Sequence, residues 1–150
     1  MGSLPLMVSL YLATQTALPQ APAGGSADAA LRRVVDEYVG LYRKDTLPRW
    51  RELFLTSFAV ASTNEDGSTR LRSLDEFYSA QQRYLATGRD IRETLENVTL
   101  ERHGRLASVW ADFVLTDAGA VSRGRLVLLL IEERGAWRIH SLMFSYDPEA

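Results

Sequence analysis

The chain has 150 residues, of which 46% are hydrophobic and 24% charged, the composition of one globular domain with a sizeable core. Its 17 Lys and Arg against 19 Asp and Glu give a net charge of -2, which gives no electrostatic reason to expect a polyanionic partner, so we expect no nucleic-acid partner. The absence of cysteine excludes disulfides, thiolate nucleophiles and cysteine-bound metals.

The first 27 residues differ in character from the rest. An uncharged apolar run from Leu4 to Ala13 is followed by a stretch rich in Ala, Pro, Gln and Gly, and no Lys or Arg precedes Arg32. This resembles a secretory signal peptide without a positive n-region, and it is too broken by Pro and Gln to span a membrane. We predict a leader over residues 1–27 and export, to the periplasm for example; the alternative is a disordered leader on a cytoplasmic protein.

The domain itself is predicted to run over residues 28–150 and to begin with helices. Asp28 is a plausible N-cap, and the residues after it are amphipathic with helical spacing. Pro48 suits the first turn of a new helix, predicted from Leu47 to Leu55. The predicted buried stripe of the first helix consists of Leu31, Val34, Val35, Tyr38, Leu41 and Tyr42.

A short hairpin and a third helix come next. Strands over residues 57–61 and 69–72 flank the turn signal Asn64-Glu65-Asp66-Gly67. Ser73 and Glu76 then form the sequence pattern of a capping box, and Gly88 marks the end of the helix. Its predicted buried face carries Phe77, Tyr78, Gln81, Tyr84 and Leu85.

The remainder of the chain has β character. Four runs with strand composition are separated by turn signals of two or three residues, which predicts an antiparallel meander. Because each run is about twice the usual strand length, the sheet must twist and curl. The predicted strands are Ile91–Glu101, Leu106–Thr116, Val121–Glu133 and Ala136–Tyr146.

The last two of these strands are apolar on both faces. Strict alternation would place Trp137, Ile139, Ser141, Met143 and Ser145 on one face, and Arg138, His140, Leu142, Phe144 and Tyr146 on the other. The preceding strand has Leu126, Leu128 and Leu130 opposite Val127, Leu129 and Ile131. We therefore expect both faces of the sheet to be covered, one by helices and the other by a second subunit.

The order of these segments is similar to that of the nuclear transport factor 2-like superfamily, and within it to the SnoaL-like and lumazine-binding-like groups. The resemblance rests on ALRRVVDEYVGLYR, SLDEFYSAQQ, ASVWADFVL and GRLVLLLIEERGAWRIHSLMFSYD, with Gly135, Trp137, Arg138 and Ile139 as its most specific part, and it covers residues 28–148. It implies an α+β fold in which two to three N-terminal helices pack into the concave face of a cone-shaped, curved antiparallel sheet. It also implies a pocket at the open end and a homodimer through the convex face.

The resemblance also suggests where to look for chemistry. Enzymes of this superfamily, such as ketosteroid isomerase, scytalone dehydratase and polyketide cyclases, use Asp, His or Tyr side chains for proton transfer next to a carbonyl. The catalytic candidates here are Asp112 and His140. If its face is convex, however, Asp112 would pair with an arginine such as Arg125 or Arg138; a single His on a strand is commonly a structural residue.

Three functions stay open: a binding domain for a small apolar or aromatic molecule, an acid–base enzyme acting on a carbonyl compound, and a non-catalytic dimerisation module. No nucleotide-binding or hydrolase motif is present, and the two histidines have no metal-ligand spacing, so we expect neither cofactor nor metal. The candidate pocket residues are Tyr38, Tyr42, Trp50, Phe77, Tyr84 and Trp110.

Overall fold

The structure is a computed structural model that describes residues 25–64 and 66–148. Residues 1–24, which hold most of the predicted leader, lie outside the described residues. The elements are α1 (Gly25–Gly40), α2 (Leu47–Arg51), β1 (Phe54–Thr63), β2 (Thr69–Ser73), α3 (Leu74–Leu85), β3 (Ile91–His103), β4 (Leu106–Asp117), β5 (Ala120–Glu133) and β6 (Ala136–Tyr146).

The strands form one six-stranded sheet in the order β2-β1-β6-β5-β4-β3. The predicted meander from β3 to β6 is confirmed, with strand ends within two residues of those expected. The pairing of β1 with β6 is parallel, so the sheet is mixed rather than wholly antiparallel. It does not close into a barrel, and β2 and β3 are its two edges. The α+β class is confirmed.

Tight turns set the register of the long strands. Ala118 and Gly119 both have positive φ, 50° and 91°, and so do Arg134 and Gly135, at 51° and 81°. Two residues of this kind form a type I′ turn, whose twist matches that of the flanking strands. These turns set the antiparallel register, which is continuous between β4 and β5 and is interrupted once between β5 and β6.

A β-bulge changes the face assignment of the last strand. Leu129 is opposite Ser141 and Leu130 is opposite Ile139, so His140 has no partner on β5. The extra residue resets the alternation. The predicted division of this strand into two faces is therefore wrong across the bulge: Trp137, Ile139, Leu142 and Phe144 all belong to the concave side, where all but the partly buried Phe144 are buried.

The helix boundaries differ from expectation at several ends. Helix α1 begins at Gly25, three residues before the predicted N-cap Asp28, which lies in the first turn. Helix α2 ends at Arg51 instead of Leu55, because Phe54 already belongs to β1. The capping box of Ser73 and Glu76 is confirmed, although α3 ends at Leu85, before Gly88.

Helices α1 and α3 pack on the concave face of the sheet, α1 against β3 and β6 and α3 against β1 and β2. The predicted stripe of the first helix lies in the core, apart from Leu41, which is partly buried against it. Trp50 joins the helices to the sheet: its indole Nε1 donates to the Tyr38 carbonyl at 2.8 Å, and its ring centroid is 4.6 Å from that of Phe54 and 5.7 Å from that of Phe77. These aromatic contacts fix the wall of the cavity described below.

Gly124 in β5 allows a close approach on the same concave face. A Cβ atom there would lie 2.2 Å from the Ser145 carbonyl oxygen and 2.5 Å from Cζ of Phe113. The Phe113 ring therefore rests directly over the backbone of β5, with its centroid 5.2 Å from that of Tyr146. The absence of a side chain at Gly124 therefore lets the ring of Phe113, a residue that lines the cavity described below, lie against β5.

Candidate functional site

A cavity of about 560 Å³ lies between the helices and the concave face of the sheet. Its volume is in the range of natural small-molecule sites. All three helices and all six strands contribute to its lining, so every element of the described fold takes part in shaping it.

Five of the six predicted pocket residues line this cavity. The sixth, Trp110, does not, and its prediction as a pocket residue is wrong: it lies on the convex face, opposite Val127 of β5, with 55% of its surface exposed. The five lining residues are Tyr38, Tyr42, Trp50, Phe77 and Tyr84.

The two catalytic candidates also lie outside the cavity. Asp112 is on the convex face, where it accepts a hydrogen bond from Asn97 Nδ2 at 2.7 Å and lies 3.4 Å from Arg125 Nε. This is the arginine pairing considered as the alternative for Asp112. His140 is exposed at the β6 bulge. Neither side chain lines the cavity. The prediction that Asp112 or His140 is a catalytic residue of this cavity is therefore wrong.

A carboxylate that was not predicted lines the cavity instead. Glu93 lies on β3 between the inward-facing Ile91 and Leu95, and its Oε1 is buried without a hydrogen-bond partner. Burial raises the pKa of Glu93 from 4.5 to about 7, because an apolar environment disfavours the charged form. At neutral pH this carboxyl group can therefore both take up and release a proton.

The sequence contained a signal for Glu93. In the segment Ile91-Arg92-Glu93-Thr94-Leu95, the alternation of a strand puts the glutamate on the same face as two apolar residues. A charged residue at such a position is expected to be paired or functional.

Four tyrosines surround the same space. The Tyr42 hydroxyl donates to Gln81 Oε1, and the Tyr84 hydroxyl donates to Asp117 Oδ2 at 2.9 Å. The hydroxyls of Tyr38 and Tyr146 make no hydrogen bond within the described part of the chain, so they remain available to a bound molecule. Burial raises the pKa of all four, to about 12 for Tyr84, and all four therefore remain protonated donors at neutral pH.

Two arginines of β2 line the cavity on its other side. Arg70 is opposite Ser62, and Arg72 is opposite the buried Val60, which places both on the concave face. The Arg72 guanidinium carbon lies 5.2 Å from the centroid of the Phe77 ring, and its Nε is buried without a hydrogen-bond partner. Burial, with the charge of Arg70, lowers the pKa of Arg72, although a guanidinium stays protonated at neutral pH.

Asp117 occupies a third polar position, next to Tyr84. Arg89 Nη2 lies 2.9 Å from its Oδ2, whereas its Oδ1 is buried and has no hydrogen-bond partner. Buried polar atoms in proteins are nearly always hydrogen-bonded. The unpaired atoms on Glu93, Arg72 and Asp117 are therefore available to polar groups of a ligand.

The charged groups lie at opposite sides of the cavity. Arg72 is on the edge strand β2, Glu93 is on the opposite edge strand β3, and Tyr146 is on β6 between them. The charges of Glu93 and Arg72 both act on the pKa of Tyr146, in opposite directions. The cavity therefore has a basic side, an acidic side and aromatic walls between them.

The described residues contain no group of three or more His, Asp or Glu side chains arranged to hold a metal ion. No helix within residues 25–64 and 66–148 is long and apolar enough to cross a membrane. The chemistry that this arrangement supports is binding of an apolar molecule with polar ends, together with proton transfer at Glu93.

Comparison with known proteins identifies a family and a shared fold. The model of the SnoaL-like domain family matches residues 31–147. A search of curated proteins gives no match.

Three solved structures illustrate the similarity of fold. A nuclear transport factor 2-like protein of unknown function from Silicibacter pomeroyi is 21% identical, with a TM-score of 0.63 over 81% of this chain and 96% of that one. A protein with a cystatin-like fold from Caulobacter vibrioides is 18% identical, with a TM-score of 0.65 over 83% and 92%. A proposed scytalone dehydratase from Novosphingobium aromaticivorans is 12% identical, with a TM-score of 0.67 over 81% and 85%.

Proposed function

The chain belongs to the SnoaL-like domain family, and we propose that it binds a small, mainly apolar or aromatic molecule in the cavity between the helices and the sheet. The observation that carries the proposal is the combination of about 560 Å³ of space with unpaired polar atoms on Glu93, Arg72 and Asp117. A core that served packing alone would be filled by side chains, and its polar atoms would be paired.

The aromatic lining of the cavity favours a flat or ring-containing ligand. The rings of Trp50, Phe77 and Phe113 lie on the cavity wall, and the hydroxyls of Tyr38 and Tyr146 have no partner within the described residues. Aromatic walls contribute apolar contact area, while a few hydroxyl donors orient the ligand. A carbonyl or hydroxyl group on the ligand would accept from these tyrosines.

Thermal-shift screening against aromatic and polyketide-like compounds tests this proposal. The matched variants are Ala80→Leu, which places a larger side chain at a cavity-lining position of α3, and Gln82→Leu, at an exposed position of the same helix. We expect compounds that raise the melting temperature of the wild type and of Gln82→Leu, and a much smaller shift for Ala80→Leu. If no compound shifts the wild type, or Ala80→Leu responds as the wild type does, the proposal fails.

Proton transfer on a carbonyl compound is a second candidate function, favoured by Glu93. A base with a pKa near 7 is well matched to neutral pH. The free hydroxyls of Tyr38 and Tyr146 would stabilise the oxygen of a developing enolate. Tyr38, Tyr146 and Glu93 line the same cavity, and the charge of Glu93 helps to raise the pKa of both tyrosines.

Exchange of the α-protons of a bound carbonyl compound into D₂O, followed by NMR, tests this second function. We expect the rate to rise with pH through about 7, as Glu93 loses its proton, and to fall about 10²-fold or more in Glu93→Gln. Glu101→Gln, at an exposed position of the same strand, should exchange at the wild-type rate. Equal rates for the two variants would exclude Glu93 as the base.

The convex face supports a proposal about the partner, a second copy of the chain. Trp110, Leu129 and Met143 are 55%, 40% and 48% exposed on neighbouring strands, and such a patch is typical of an interface. Trp110→Glu should shift the species seen by sedimentation velocity from dimer to monomer, whereas Gln82→Glu should not. A monomeric wild type would contradict the proposal.

A further inference from the structure

The basic side of the cavity lacks an anion. Within residues 25–64 and 66–148, Arg70 and Arg72 line the cavity but no carboxylate lies within salt-bridge distance of either. The Arg72 Nε atom, moreover, is buried without a hydrogen-bond acceptor. A buried donor left unpaired costs free energy, and more so when its group is charged.

The carboxylate nearest in sequence is already engaged elsewhere. Glu76 influences Arg72 through its charge, but Oε2 of Glu76 accepts from the Ser73 backbone N at 2.8 Å and from Ser73 Oγ at 2.9 Å. These bonds form the capping box of α3. The guanidinium is therefore left for a partner that the described residues do not supply.

A carboxylate fits this position best. The planar guanidinium presents paired N–H donors that match the two oxygens of a carboxylate, and the Phe77 ring beneath Arg72 holds the side chain in place. The opposite side of the cavity contains Glu93 and Asp117, neither of which offers a positive charge to a second anionic group. The space between them is lined by the rings of Tyr146 and Phe113.

We propose that the ligand is a monocarboxylic acid with an apolar or aromatic body, with its carboxylate on Arg72 and its far end against Glu93. This rests on the proposed ligand-binding function and adds both the chemical class of the ligand and its direction in the cavity. Tyr146, on β6 between the two edge strands, then contacts the body of the ligand. The neutral form of Glu93 donates to a hydroxyl or carbonyl group at the far end, whereas its charged form accepts from a hydroxyl group.

Calorimetry with matched acid and amide pairs tests the proposal. The probes are phenylacetic, 2-naphthylacetic and 4-hydroxyphenylacetic acids and their primary amides, which have the same shape without the charge. They are titrated at pH 6 into the full chain. We expect at least one acid to bind about tenfold or more tightly than its amide, as a charged hydrogen bond to a guanidinium implies.

Variants then assign the preference to one side chain. Arg72→Gln should lower the affinity for the acid about tenfold and leave the affinity for the amide unchanged. The affinity of Arg72→Lys for the acid should lie between those of the wild type and Arg72→Gln. Arg33→Gln, at an exposed position of α1, should bind both compounds as the wild type does. Circular dichroism establishes that each variant is folded. The ratio of acid to amide affinity is also measured in the wild type alone, so it tests the proposal even if a variant does not fold.

The outcomes separate the two proposals. Acid and amide binding equally would overturn the carboxylate inference and leave the ligand-binding function intact. A preference for the acid that survives in Arg72→Gln would assign it to another residue and would also overturn the inference. Binding of neither compound in any pair would count against the ligand-binding function itself and the inference with it.

Discussion

Replacing Glu93 by glutamine should change the pH dependence of folding in a defined direction. The pKa of Glu93 is raised by burial from 4.5 to about 7, so the folded chain holds its proton more tightly than the unfolded chain. The fold is therefore destabilised progressively as the pH rises from about 4.5 to about 7, and the effect is complete above it. The neighbouring Tyr38, Tyr42 and Tyr146 stay neutral over this range, because their pKa values are raised.

The expected magnitude follows from the two pKa values. A difference of about 2.5 between 4.5 and about 7, at 1.36 kcal/mol for each pKa unit, corresponds to about 3 kcal/mol. Glu93→Gln cannot ionise, so its free energy of unfolding relative to the wild type should increase by about this amount between pH 4 and pH 8. The free-energy cost of burying the glutamine amide is the same at pH 4 and pH 8, so it cancels from the change between them.

Urea unfolding followed by tryptophan fluorescence measures this difference. The free energies of unfolding of the wild type, Glu93→Gln and the exposed control Glu101→Gln are compared at intervals from pH 4 to pH 8. The control should follow the wild type within about 0.5 kcal/mol, the scatter typical of surface substitutions. A constant difference in unfolding free energy between Glu93→Gln and the wild type across this range would show that burial does not raise the pKa of Glu93.

Three further substitutions test the packing that shapes the cavity, each by urea unfolding. Gly124→Ala should destabilise the fold by about 1–3 kcal/mol, because the new Cβ would meet Ser145 O at 2.2 Å. Gly40→Ala is the control and should not destabilise the fold, since nothing lies within 4 Å of its new Cβ. An equal loss of stability at both sites would contradict the close approach at Gly124. Trp50→Phe should cost about 2 kcal/mol or more, since it removes buried volume and the bond to Tyr38 O; a cost below about 0.5 kcal/mol would show that this contact is unimportant. Ser73→Ala should cost about 1 kcal/mol through loss of the α3 cap, and no change would show that the capping box contributes nothing.

The fold was largely predictable because local patterns specify it. The strand lengths and turn residues of the meander gave the positions of β3 to β6 to within two residues, and the helical spacing of Leu31 to Tyr42 identified the stripe that lies in the core. The parallel pairing of β1 with β6 was not predictable in this way. It joins segments far apart in the chain, and nothing local encodes which edge of a meander a distant hairpin will extend.

The candidate site was predicted only in part, because the face on which a strand residue lies depends on the assembled sheet. Strict alternation from Trp137 assigns Leu142 and Phe144 to the side opposite Ile139, whereas the unpaired His140 returns them to the concave face. Faces inferred by counting are correct only up to such an irregularity. Asp112 attracted attention because it interrupts an apolar strand, yet the equivalent interruption at Glu93 is the one that faces the cavity.

The five aromatic pocket residues were found because they lie on helical stripes, where the 3.6-residue period is not disturbed. Arg72 was not found, because β2 is short and alternation would place its apolar residue Leu71 inward, whereas Leu71 is 73% exposed. Its place in the cavity follows from pairing with β1 opposite Val60, which depends on the assembled sheet rather than on the segment itself.

A crystal structure of the full chain with the carboxylic acid that binds most tightly would show the site and the direction of binding. We expect the ligand between the helices and the concave face of the sheet, with its carboxylate within hydrogen-bond distance of the Arg72 guanidinium and its other end at Glu93. A ligand bound on the convex face near Trp110, or bound in the cavity with its carboxylate at Glu93, would contradict this expectation.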